Sequence, residues 1–133
     1  MTNIKQALII RQPHIGKILD GLKTWEMRSI KTEPRGKIAL IQQGTKTVVG
    51  IAEFLECIGP LSDNERFASE KKHGLSAAHW SNPDFMKYRF AWVLSNVRRL
   101  KNPVPYKQTG PVQWITLDET EVKNVVAQLP KSR

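Results

Sequence analysis

The sequence predicts a mainly β chain, a mostly antiparallel β-barrel with peripheral α-helices, forming a single domain over residues 1–133. Three observations predict it. Apolar strand-like runs follow one another without the steady strand–helix alternation that builds a parallel sheet. The longest of these runs contains Gly50, where a barrel wall needs a bulge or sharp bend. No repeat, low-complexity stretch or linker divides the chain, and its length suffices for one core rather than two.

Each element has its own signal. Residues 7–12 (ALIIRQ) read as a buried strand with a polar exit. Pro13 then occupies a first helical position and Gly21 a helix stop. Between them Ile15, Ile18, Leu19 and Leu22 recur at helical spacing, which predicts a short helix over about 13–20. From Thr24 to Arg28 the chain alternates with period two, so Trp25 and Met27 share a buried face while Thr24, Glu26 and Arg28 share the other. Residues 37–42 and 47–58 are two further strands. Ser62 and Glu65 have capping-box spacing and open a helix that ends at Gly74, with Lys71, Lys72 and His73 in its last turn. Residues 76–89 read as a loop or broken helix with Pro83 as a second start signal. Residues 90–99 form a long strand, interrupted beyond its end by Pro103 and Pro105, and 112–117 return as another. Asp118 caps a final helix whose apolar stripe is Val122, Val125, Val126 and Leu129.

Charge supplies the first functional clue. Lys and Arg outnumber Asp and Glu 21 to 12, a formal +9, and such a field attracts polyanions, of which nucleic acid is the commonest. A membrane is disfavoured, since the chain has neither a long amphipathic basic helix nor a run of about eighteen apolar residues. The polar N-terminus leads straight into the first strand with no small-residue cleavage site, so it is not read as a signal peptide. Cys57 has no second cysteine to pair with, which fits a reducing compartment and a cytoplasmic location. The sequence leaves the oligomeric state open, with a monomer plausible.

Several common sites are missing. His14, His73, His79 and Cys57 lack metal-ligand spacing, the Gly44–Thr47 turn lacks the upstream glycine of a phosphate loop, and no nucleophile elbow occurs. The informative stretch is 8–29. Arg11-Gln12-Pro13 stands at a strand-to-helix junction, and Gly21-x-Lys23-Thr24-x-Glu26-x-Arg28 at the following helix-to-strand junction. If the helix folds the chain back, Arg11, Lys23, Glu26 and Arg28 meet at one rim. The cations there would grip a phosphate while the carboxylate reads an N–H edge of a base.

This I-R-Q-P…G-x-K-T-x-E-x-R pattern resembles the signature of the ASCH domain family. Pro103-Val104-Pro105-Tyr106 and Gln113-Trp114-Ile115-Thr116-Leu117 resemble it as well, so the likeness covers about residues 7–118. The resemblance implies a PUA-like barrel that binds RNA or a modified nucleotide or nucleoside without metal or cofactor. Some relatives are metal-independent hydrolases, either amidohydrolases of N4-acetylcytidine or ribonucleases. In the amidohydrolase branch the Lys and Thr of the G-x-K-T segment work with a later glutamate. They carry over to Lys23 and Thr24 here, with Glu65 or Glu70 as the glutamate. The family often has Trp after R-Q-P, where this chain has His14, and a stacking surface is lost there.

Plainer readings stand beside these. Lys23 is also an exposed lysine in a tight turn; chemistry requires its pKa to fall from roughly 10.4 toward neutrality through burial or nearby cations. Glu26 and Arg28, two apart on a strand, also make a structural ion pair. Glu65 is accounted for by its capping box, which leaves Glu70 as the better catalytic candidate. Trp25, Trp92 and Trp114 belong in strands and the core, whereas Trp80, in the irregular segment, is freer to stack on a base. Arg98, with Arg99 and Lys101, either tracks a phosphate backbone or keeps a strand edge soluble.

Overall fold

The computed structural model describes residues 4–108 and 112–129. Its strands are β1 (Gln6–Ile10), β2 (Trp25–Arg28), β3 (Gly36–Gln42), β4 (Thr47–Ile58), β5 (Phe90–Pro105) and β6 (Trp114–Thr116). Its helices are α1 (His14–Leu19), α2 (Asp63–Ala68), α3 (Glu70–His73), α4 (Ala77–Trp80), α5 (Pro83–Met86) and α6 (Glu119–Val126).

All strands join one sheet in the order β2-β5-β4-β3-β1-β6. Every neighbouring pair is antiparallel except β1 and β3, so the sheet is mostly, not wholly, antiparallel. The exception follows from the path. After β1 the chain crosses through α1 to the far edge, lays down β2 there, and returns to place β3 beside β1 in the same direction. The sheet curls until its two edges approach: Arg28 of β2 reaches the Ile9 carbonyl of β1 at 2.7 Å and the Gln113 side chain beside β6 at 3.2 Å. Side chains close the seam.

Gly50 marks the expected bend. The ladder shifts register on both sides of it, at Leu40/Ile41 against β3 and at Val48/Gly50 against β5. A Cβ there would lie 2.6 Å from Leu19 Cδ2 and 2.8 Å from the Arg98 carbonyl oxygen, so glycine lets α1 and β5 approach the wall.

Two expectations are corrected. The long strand does not stop at Arg99 but runs on through both prolines to Pro105. Beyond Leu94 this strand has, among the described residues, a ladder with β4 alone, and Pro103 falls in a stretch with no paired residue there, so a missing N–H leaves no ladder bond unmade. The helix from Ser62 to Gly74 is two pieces. Its capping box is present, but Ser69 Oγ donates back to the Glu65 carbonyl at 2.7 Å, and the helix breaks at that residue.

Three apolar clusters fill the interior. Ile15 and Ile18 of α1, wholly buried, pack with Leu8, Leu40, Phe54 and Trp92 in the middle of the barrel, each contributing about 2 kcal/mol of burial. Val125 of α6 seals one end with Ile4, Ala7 and Ile115. The Gln128 side chain ties that helix to β5 through both backbone groups of Asn102, each at 2.8 Å. At the other end Trp25, Met27, Leu61, Leu75, Trp80 and Ala91 form a third cluster beneath α2–α5. That helical segment sits against the seam.

Candidate functional site

The functional stretch is delivered by a helix end. Where α1 stops, the Gly21 N–H bonds the Ile18 carbonyl at 3.1 Å and the Leu22 N–H bonds the Lys17 carbonyl at 2.8 Å, with Gly21 at φ +77°. This Schellman turn requires the left-handed conformation that glycine adopts freely, and it reverses the chain so that Lys23 points inward. The Thr24 backbone is then clamped: its N–H donates to Lys72 at 2.9 Å, and its carbonyl accepts from Leu94 at 2.8 Å. At the start of α1, Gln12 Oε1 accepts the Gly16 N–H at 3.1 Å in place of a side-chain cap from Pro13.

A cavity of about 550 Å³ opens at the seam. It is lined by Arg11, His14, Lys23, Glu26 and Arg28, and by Asp84, Phe85, Lys87 and Tyr88 from α5 and the turn after it. Lys23 and Glu26 are buried, 2% and 6% exposed, although both carry charge. Lys23 Nζ lies 3.4 Å from Glu26 Oε1, and Arg28 Nε donates to Glu26 Oε2 at 3.1 Å, so the carboxylate is held between two cations. The stem of Lys23 runs along Gly74, where an added Cβ would sit 3.6 Å from Lys23 Cδ. Arg28 also lies over the Trp92 ring, 5.1 Å from its centre.

Electrostatics follow from this burial. Loss of water pushes the Lys23 ammonium below the usual lysine range, with the Glu26 carboxylate opposing and Lys17 and Arg28 adding to the fall. His14 is lowered to about 4, first by burial and then by the positive charge of Lys23, so its ring is neutral near pH 7. Among the described residues, no cluster of three or more His, Cys, Asp or Glu side chains is arranged to hold a metal ion.

The geometry sorts the residues singled out in the sequence. Arg11, Lys23, Glu26 and Arg28 meet around one cavity, but not as a single rim. Lys23 and Glu26 lie buried, Arg28 directs its donors to Glu26, Ile9 and Gln113, and Arg11 alone of the four is exposed. Met27, expected on the opposite face from Glu26, also lines the cavity, and both residues are buried. Thr24, Gln12 and Pro13 are exposed and outside the lining. Glu70 is exposed on α3 and Arg98 is exposed on β5, neither on the cavity. Trp80 is buried at 4% exposure beneath the Arg66 guanidinium, 4.6 Å from the ring centre, with the His73 ring edge-on at 5.4 Å. Its indole is committed to the core that carries α4, and packing took it from the surface the sequence had suggested. Sequence reasoning missed His14, Phe85, Lys87, Tyr88 and Gln113 as lining residues. Two of them had a signal: His14 stands directly after the R-Q-P motif, and Gln113 opens the Q-W-I-T-L segment.

A curled, mostly antiparallel β-barrel with a cleft at its seam and helices over its ends defines the class of fold. The chain belongs to the ASCH domain family, whose family model matches residues 8–104. It is similar to the crystal structure of an ASCH protein from Zymomonas mobilis, with 16% identity, coverage of 92% of this chain and 93% of that one, and a TM-score of 0.70. A serine-to-alanine variant of that protein gives 17% identity, 92% and 94% coverage and a TM-score of 0.68. At these identities the likeness speaks for the fold. Among curated proteins, no sequence matches this chain. No described helix is long and apolar enough to cross a membrane.

Proposed function

We propose that the seam cavity binds RNA or a modified nucleotide, taking one base into its interior and leaving the phosphates to basic residues outside. The observation that carries this is the buried Lys23–Glu26 pair, joined by the part-buried Arg28, lining a cavity of about 550 Å³. Burying an ammonium and a carboxylate costs several kcal/mol before their attraction is counted, so a ligand site explains their position better than stability does. The volume suits a nucleoside-sized group, and Phe85 and Tyr88 offer aromatic surface beside it. Arg11 and Lys87 at the mouth, within a chain of formal charge +9, would attract the backbone. The test is a titration with short single-stranded RNA and with free nucleosides. Binding that Lys23→Ala weakens for every ligand supports this reading, and no binding to either even at low salt removes it.

A second reading, a metal-independent hydrolase in the same cavity, draws on the lowered Lys23 pKa, which makes the amine a better proton acceptor. Of its proposed catalytic residues, Lys23 lines the cavity while Thr24 and Glu70 stand outside it. Product analysis on N4-acetylcytidine and on a structured RNA separates the two readings. Turnover that survives in Lys23→Arg would exclude lysine chemistry, because arginine keeps the charge and holds its proton.

A further inference from the structure

His14 lines the same cavity, yet neither ion pair nor binding motif accounts for it. Its Nδ1 is shut off from solvent and has no hydrogen-bond partner among the described residues. Nε2 is therefore the nitrogen left to face open space. A buried N–H without a partner is disfavoured more than a buried lone pair without one, so the proton belongs on Nε2. The ring stays neutral near pH 7, since burial and the charges of Lys23, Lys17 and Arg11 oppose a second proton while Glu26 alone favours it. Around it, both carboxylate oxygens of Glu26 are already engaged by Lys23 and Arg28. Lys23 has one contact of 3.4 Å and three N–H bonds, so it retains donors for a ligand.

We propose that His14 is a specificity-determining residue, a neutral ring in the Nε2–H form that donates into the cavity beside Lys23 and so selects a base edge built of acceptors. This rests on the binding reading above and names its ligand class: a keto-bearing base, such as guanine through O6 and N7 or uracil through a carbonyl. Adenine presents an N–H₂ donor to the same groups, and a donor facing a donor leaves both unpaired.

Two measurements test it. Long-range ¹H–¹⁵N spectra of the free protein at pH 7 should show the His14 ring neutral with its proton on Nε2. Short single-stranded RNAs of guanine- or uracil-containing sequence should bind about tenfold tighter than adenine homopolymer at fixed salt. His14→Phe should bring that ratio to within about twofold by removing the donor, while His14→Gln, which retains an N–H, should keep most of it. Should His14→Phe fail to fold, the spectrum and the wild-type preference still decide. An Nδ1–H or doubly protonated ring overturns the assignment of His14, as does a base preference that both variants preserve, and in either case RNA binding stands. A wild type that binds no RNA removes the binding reading and this proposal together.

Discussion

Glu26 has a carboxylate in the barrel wall with a cation on each of its oxygens, and that arrangement predicts what substitution does. Glu26→Gln keeps the shape but leaves the buried Lys23 ammonium without its counter-charge. We expect a loss of about 1–3 kcal/mol in urea unfolding together with altered base preference. An unchanged midpoint would show that solvent screens the pair despite its burial. His14 and His73 set a pH dependence. Both are held below the usual histidine range, His14 at about 4 and chiefly by burial, His73 likewise by burial, so the unfolded chain takes up protons that the folded one refuses. Their stabilising effect is complete above the unfolded value of about 6.5 and is lost as pH falls toward the folded value. For His14 this amounts to on the order of 1–2 kcal/mol, once the partial solvent access of its ring is discounted. Thermal midpoints should drop between pH 6.5 and 4, and His14→Gln should shed part of the slope.

At the scale of elements, short helices frame the site that β2 and the turn after α1 carry, so their ends matter more than their interiors. Both capping boxes, Ser62 with Glu65 and Asp118 with Glu121, satisfy donors at each end of the barrel. Glu121 is itself buried, and its other oxygen accepts the Lys107 N–H at 2.7 Å, so it ties α6 to the connection after β5 as well as capping the helix. Ser62→Ala should cost about 1 kcal/mol and loosen α2. Gly50→Ala should cost more, about 1–3 kcal/mol, because its methyl would meet Leu19 and the Arg98 carbonyl oxygen. Since Leu19 belongs to the helix that positions Lys23, the same variant should weaken RNA binding in a titration. Full binding by a destabilised Gly50→Ala protein would show that α1 holds the site without the wall behind it.

At the scale of the whole molecule, the charge of +9 predicts a steep salt response. Log affinity for single-stranded RNA should fall linearly with log salt, at about −0.7 per phosphate neutralised. Lys87→Ala, at the mouth, should flatten that line by nearly one contact without changing base preference. Glu26→Gln should alter preference with little change of slope. If both variants changed slope alone, the cavity would be reading charge and no base.

Much of this molecule was determined by the sequence alone. The period-two and period-3.6 patterns around Trp25, Ile15 and Val125, the caps at Ser62 and Asp118, and the stops at Gly21 and Gly74 report local backbone preferences, and those act over a few residues. The motif between Arg11 and Arg28 could be placed at two adjoining junctions for the same reason. Tertiary structure decided the rest. It closed the seam through Arg28, buried Lys23 and Glu26, drew Trp80 under Arg66, kept Glu70 and Thr24 outside the cavity, and brought Phe85, Lys87 and Tyr88 to the same cavity as His14. Those outcomes depend on which distant segments share one volume, and burial and charge pairing are properties of that shared volume. A lysine in a turn has the same letters around it whether water or a carboxylate surrounds its amine.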